Sequence, residues 1–456
     1  MEARKLTRRE LLKTLGMGAA GTLLTACAAP TATQAPVTSA PETAATAAPT
    51  AVPPAPASAG ATKITLWTYP DDDIYFNASL EDFGKQNPDI TVQVIKFDTG
   101  DLDQKLTASL VGGAGAPDMV DLEEGYVGKY GAQGGFVNLL DAPYNIKDHE
   151  KDFPQFAFNA GYSSDKSKFY FLNYSLSPAV IHYRRSLFEK AGLPSDPEEV
   201  RKLLCTDWEA YLATGEKFAK PEGPWFLDEA GEIYQSYWSQ NSATFFDAQG
   251  TLSVANETHL KGFELAKAAR DKGLDAKLTL WTPEWQNSFN QTTVGTYLSG
   301  DWLQGLIKVY GGDATKGDWG MTPMPAKVGT MLTGSTLCIT EQSANKDAAW
   351  KYFSYFSFTA KPQLQMYVST FCFPGYKPAW DDPIMQEPVE WYGGQKARQV
   401  SVEAAKNFWD RPALDKYTRQ IRDMVDVELT NVLDKGKDPA QALADAEATA
   451  KTQLEL

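Results

Sequence analysis

Between residues 63 and 122 the chain alternates twice between period-two and helical apolar patterns, which restricts this stretch to an α/β sheet with parallel strands. Lys63–Asp73 reads KITLWTYPDDD. Ile64, Leu66 and Thr68 alternate with Thr65 and Trp67 as in a strand, which breaks off in an aromatic, a proline and three carboxylates. Phe76, Leu80 and Phe83 follow at helical spacing, stopped by Asn87-Pro88; Ile90–Ile95 alternates again; Leu102, Leu106 and Leu110 mark a second helix closed by Gly112-Gly113. GAGAPD then leads into a short apolar strand, Met119–Leu122. A β-α-β-α-β order implies right-handed crossovers, and ligands of such sheets bind outside the carboxyl ends of the strands. Tyr69, Asp71 and Asp72 follow the first strand; Glu124 and Tyr126 follow the third. Trp67 reads as packing within or beside the sheet.

The chain's 456 residues, 43% of them hydrophobic, suffice for two or more domains with real cores. The first 26 residues read as an export signal: Arg8-Arg9 in a twin-arginine-like context, an apolar run Leu15–Leu24, then Leu24-Thr25-Ala26-Cys27, which resembles a lipobox with Cys27 as the lipidated residue. Residues 27–62 are almost wholly Ala, Pro, Thr and Ser, a composition that cannot bury enough surface to fold and reads as a disordered tether. At ~3.1 Å per residue it would reach about 100 Å from a membrane. The formal charge is −15, and −18 without the basic leader, which disfavours nucleic acid as a partner. With three histidines and no Cys/His cluster, neither a zinc site nor any other cofactor is expected. Cys205, Cys338 and Cys372 cannot all pair; one bridge is allowed, Cys338–Cys372 being the first to test, and buried free thiols are the alternative.

The order of strand, helix, Asn-Pro-Asp, strand, helix, Gly-Ala-Pro-Asp and strand, followed by Gly134–Leu139 (GGFVNL), resembles the family 1 extracellular solute-binding proteins, the maltose-binding-protein-like receptors of ABC importers. Phe169–Ser177, Val180–Leu193, Phe245–Gly250, Leu298–Trp302 (LSGDW), Met324-Pro325, Thr333–Ile339 and Ser343–Trp350 extend the resemblance over nearly all of residues 62–456. The chain departs from the family pattern at Phe289–Thr293, which lacks the usual Gly-Lys, and at Thr206-Asp207-Trp208, which carries an extra Asp. The resemblance implies a type II periplasmic-binding-protein-like α/β fold. Two lobes, each a mostly parallel sheet flanked by helices, would be joined by a hinge of three chain crossings near Ser175–Ser177, Met331–Gly334 and Phe373–Tyr376. Lobe 1 would comprise residues 63–175 and 332–373, lobe 2 residues 176–331 and 374–456. The implied protein is monomeric and extracytoplasmic, lipid-anchored at Cys27, and passes its ligand to membrane permease subunits.

A sugar site needs aromatic rings to lie against apolar C–H faces and carboxylates or amides to bond hydroxyls. Tyr69, Asp71, Asp72, Glu124, Tyr126, Tyr174 and Ser335 are the candidates in the first lobe; Tyr234, Trp238, Asp301 and Trp302 are those in the second. Trp302 stands first because its motif lies at the cleft in the family. Trp281 and Trp285 read equally as a cleft edge or as the packing face of a helix. Two other ligand chemistries compete. Carboxylates at strand ends suit a polyamine boxed by aromatics, and paired carboxylates across a cleft suit a glycoside hydrolase. No nucleophile motif, phosphate loop or metal spacing supports catalysis. An anion fits less well, because no basic residues cluster near these strand ends in the sequence.

Overall fold

The computed structural model describes residues 60–456, except 71, 219–222, 242–243, 248, 328, 330 and 409–413. The leader, Cys27, almost all of the tether, and Asp71 lie outside the described residues. Strand β1 (Thr62–Thr68) buries Ile64, Leu66 and Thr68 and leaves Thr65 and Trp67 half-buried, the alternation written in its sequence. Helix α1 (Asp73–Gln86) buries Phe76, Ser79 and Phe83. Strand β2 (Ile90–Lys96) returns parallel to β1, in register from Thr62↔Ile90 to Thr68↔Lys96. Helix α2 (Thr99–Gly112) ends at Gly113, whose φ of 73° is the left-handed cap that a Cβ would disfavour. Strand β3 (Met119–Glu123) lies on the other side of β1, also parallel. Asp118, at the end of GAGAPD, accepts hydrogen bonds from the Thr65 backbone N–H (2.7 Å), its hydroxyl (3.0 Å) and Ser343 Oγ (2.6 Å), which pins β3 to β1. Beyond β3 the chain turns at Glu124–Tyr126 into helix α3 (Val127–Gln133).

Six further strands follow: β4 (Leu172–Arg184), β5 (Trp225–Leu227), β6 (Val294–Gly300), β7 (Trp319–Pro323), β8 (Met331–Ile339) and β9 (Phe373–Pro374). Their sheet order is β2-β1-β3-β8-β4-β6-β5, with β7 and β9 also pairing with β4. Pairing is parallel among β1, β2 and β3 and between β5 and β6. It is antiparallel wherever β4 or β8 takes part, so the sheet is mixed rather than mostly parallel. The physical reason is that β4 carries the chain into the far half of the molecule and β8 brings it back, so the two must run against each other.

Strand β4 is buried at every residue. Its first part pairs with β8 (Leu172↔Leu337) and its last part with β6 and β7 (Ala179↔Gly300, Val180↔Pro323), with a register shift between Leu176 and Pro178. Apolar clusters cover both faces of each half. Ile64, Phe76, Phe83, Ile339 and Phe356 lie on one side of the first, and Leu102, Leu106, Val120, Leu122 and Phe136 on the other. In the second half Ile181 packs with Phe226, Ile421 and Leu443, while its neighbour Val180 packs oppositely with Trp285, Phe289 and Trp319.

The helices that bear on the site are α4 (Gly231–Gln240), α5 (Pro283–Ser288), α6 (Lys346–Ser357), α7 (Ala397–Lys406), α8 (Thr418–Lys435) and α9 (Pro439–Leu454). Asp438 caps α9 through the Gln441 N–H, with Pro439 in the first turn, as its sequence predicts. Cys338 and Cys372 are free buried thiols, and Cys205 is buried with its Sγ donating to the Pro323 carbonyl (2.9 Å). Cys338 packs on one face of the first sheet and Cys372 on the other, where the latter donates to Tyr75 Oη (2.8 Å), so the Cys338–Cys372 bridge does not form.

Candidate functional site

Because β4 runs parallel to β1 and β3, the second half of the molecule lies beyond their carboxyl ends. Tyr69 is buried among Leu102, Val120 and Val127, with its hydroxyl 3.4 Å from the Glu123 N–H. Asp72, half-buried, hydrogen-bonds Asp121 beneath it. Asp121 accepts from Thr68 Oγ1 (2.7 Å) and Tyr174 Oη (2.9 Å), and burial pushes its carboxyl upward. Tyr174 is therefore an interior partner of Asp121 and not a cleft platform. Glu124 is buried, and its Oε2 lies 3.6 Å from where a side chain on Gly334 would begin, so Gly334 keeps β8 close to that carboxylate. Ser335, half-buried, pairs in register with Glu123 on one side and Ser175 on the other.

The parallel pair β5 and β6 delivers a second set at its carboxyl ends. Asp228 follows β5; its Oδ2 accepts from Trp285 Nε1 (2.8 Å), and burial raises its pKa to about 7. Asp301 follows β6 but is interior: it accepts from Gln304 Nε2 (2.5 Å) and the Ser401 hydroxyl, anchoring α7, and burial raises it to about 7. Trp302 sits over Gly300, with Nε1 2.5 Å from where a Cβ would be, and Trp281 stacks on it at 5.3 Å and 17°. Trp285 completes a three-tryptophan cluster, 5.4 Å from Trp281.

On α4, Tyr234 is interior, its hydroxyl bonded to His259 Nδ1 (2.9 Å). Trp238 stacks with Phe245 (5.8 Å, 18°) and carries the Arg422 guanidinium 5.8 Å above its ring. Glu232 has its pKa raised to about 8, first by burial and then by Asp228, with Arg422 opposing. Helix α8 also sends Arg419 to 5.5 Å over the Tyr126 ring, and both arginines moderate the upward shift that burial imposes on Glu123. The α3 backbone at Gly128 meets the carbonyls of Leu414 and Asp415 so closely that a Cβ would not fit.

The fold thus brings Tyr126, Glu123 and Trp238 to the two arginines, and Trp302 to Trp281, Trp285 and Asp228. Tyr174, Tyr234 and Asp301 it places inside. Asp228, Arg419 and Arg422 went unsuspected, and the expectation that no basic residues gather here is overturned by α8. The Arg419–Asp423 and Arg422–Asp426 spacing was visible, but nothing local says that α8 reaches a strand end some 300 residues earlier.

A profile of the bacterial extracellular solute-binding proteins matches residues 78–390. The chain is 25% identical to an arabinooligosaccharide-binding protein of Bacillus subtilis over 65% of this chain and 69% of that one. It is 24% identical to a lactose-binding protein of Rhizobium radiobacter, over 64% and 69%. A crystal structure of an extracellular solute-binding protein of family 1 superposes with a TM-score of 0.77 at 22% identity, covering 86% of this chain and 99% of the other. The matched span and the two-lobed α/β architecture agree, and the chain belongs to the bacterial extracellular solute-binding protein family.

Proposed function

We propose that the protein is an extracytoplasmic receptor that closes two lobes on a sugar or oligosaccharide and hands it to the membrane permease of an ABC importer, without catalysing a reaction. One observation carries this reading. The carboxyl ends of β5 and β6 present three packed tryptophans together with a carboxylate, Asp228, that one of them orients. Flat rings beside a fixed acceptor suit a ligand with apolar C–H faces edged by hydroxyls. The relatives named for an arabino-oligosaccharide and for lactose support the same class. In this reading lobe 1 is residues 63–175 and 332–373, lobe 2 is residues 176–331 and 374–456, and a monomer is tethered by residues 27–62 to a lipid on Cys27. In this reading Glu124, Tyr126, Trp238, Trp302, Ser335 and Asp72 line or edge the cleft, while Tyr69 packs beneath it in the apolar cluster.

A polyamine is the weaker ligand. Arg419 and Arg422 already stand among Glu123, Glu232, Asp423 and Asp426, so a ligand cation would face two fixed positive charges. Thermal-shift titration with arabino-oligosaccharides, lactose, maltose and spermidine tests the choice. A ligand at 100 times its Kd adds about 2.7 kcal/mol of stability. Stabilisation by spermidine alone would sink the sugar reading, and turnover of labelled oligosaccharides would sink the non-catalytic one.

A further inference from the structure

We propose that Trp281, and not Trp302 behind it, is the ring on which a sugar unit lies, and that it selects ligands of two or more units over monosaccharides. This rests on the receptor reading above. Trp302 is half-buried, packs against the apolar clusters of both lobes, lies over Gly300, and is covered by Trp281. Trp281 is 60% exposed. The ring face available to a ligand is the outer face of Trp281, with Trp302 as its backing.

Two observations mark Trp281 as placed for a purpose. Its backbone is left-handed (φ 68°), a conformation that bulky side chains rarely adopt and that persists only where the surroundings impose it. Those surroundings are the Leu278 N–H, which donates to the Asp228 carbonyl (3.0 Å), and Thr282, whose hydroxyl caps α5 at the Trp285 N–H (3.3 Å). Independently, Asp228 is 3% exposed; Oδ2 is held by Trp285, the backbone N–H groups of Asp228 and Glu229 lean on the carboxyl, and Oδ1 completes no hydrogen bond among the described residues. A buried acceptor left open is costly unless something fills it. Trp285 touches both Trp281 and Asp228, so an aromatic plane and an open acceptor belong to one cluster. A sugar unit resting on Trp281 therefore lies beside the Trp285–Asp228 pair that backs the ring.

The position of the ring sets the length preference. An exposed ring at the outer edge serves a unit beyond the one enclosed between the lobes, which a monosaccharide lacks.

Calorimetric titration tests this with wild type, W281A and W281F, using L-arabinose, α-1,5-arabinobiose and arabinotriose, and galactose against lactose. In W281A, the di- and trisaccharides should lose about tenfold or more in affinity while the monosaccharides change less than about threefold; W281F, which keeps a flat ring, should retain most of the affinity. Equal losses at every length, or no loss, overturn the proposal. Tighter binding by W281A also overturns it, showing that Trp281 is a plug which the sugar displaces from Trp302. Sugar binding by wild type with any of these patterns leaves the receptor reading intact, whereas no binding of any of these sugars by wild type overturns both. Trp281 is a surface residue, and an unchanged melting temperature in W281A separates lost contact from lost fold.

Discussion

Replacing Asp228 by Asn should change how stability depends on pH, in a direction that the structure dictates. The carboxyl is 3% exposed, and burial raises its pKa from 3.8 to about 7, opposed by the hydrogen bond from Trp285. In the unfolded chain it ionises near 3.8, so between that value and 7 the native state holds a proton that the unfolded state has released. Stability therefore falls as pH rises through this window and levels off above it. Each unit corresponds to about 1.36 kcal/mol, so the two units between pH 5 and pH 7 should cost wild type on the order of 2.7 kcal/mol through this group. Asn keeps an acceptor for the Trp285 N–H but cannot ionise. The stability of D228N relative to wild type should therefore climb by about that amount from pH 5 to pH 7 and level off only above the Glu232 value of about 8. Glu232 acts in the same sense, because the Asp228 charge contributes to its upward shift to about 8 and that contribution disappears in the variant. Urea unfolding followed by tryptophan fluorescence at constant ionic strength measures the difference, provided the slopes of the two transitions agree. A difference that is flat with pH, or that falls as pH rises, would refute the assignment of a buried, protonated Asp228.

Three other perturbations probe the scaffold. Gly300→Ala would press a methyl group onto Ser177 Oγ and Trp302 Nε1, and should cost about 1–3 kcal/mol while altering the near-ultraviolet tryptophan dichroism. Tyr234→Phe removes the donor to His259 Nδ1, whose Nε2–H is directed at the Thr244 carbonyl (3.2 Å). With that nitrogen left buried and unpaired, a urea titration should show a loss of about 1–3 kcal/mol. Cys205, Cys338 and Cys372 should be inert to a thiol reagent in the native protein and all react after unfolding without reductant; a mass two units low would reveal a bridge that the structure lacks.

The first sheet was legible because its strands and helices are long enough to show their periods. Ile64, Leu66 and Thr68 point inward as written, and the Asn-Pro and Gly-Gly stops end their helices within a residue or two. The positions of Glu124 and Tyr126 followed from strand direction alone. What could not be read was the third partner of each polar group. Tyr174 and Tyr234 look like platforms until Asp121 and His259 are seen to occupy their hydroxyls, and Asp301 looks like a ligand contact until Ser401 arrives from α7. Asp228 escaped notice because β5 has three residues, too few to display alternation. Trp281 was ambiguous because its exposure is set by a left-handed backbone, which nothing in its own side chain signals.

The thirteen buried residues of β4 have a consequence for how the molecule comes apart. They supply the middle of three apolar clusters at once: Leu172 and Tyr174 to one, Val180 to a second and Ile181 to a third. Loss of packing in either half withdraws the strand that organises the other, so partial unfolding of one lobe gains little entropy before the second must follow. The protein should therefore melt in a single calorimetric transition despite its two lobes. For the same reason a fragment ending between Leu176 and Pro178 would strip the first part of β4 from β8 in one piece and β8 from β3 and β4 in the other, leaving a strand without its partners in each, and neither piece should remain monomeric in solution.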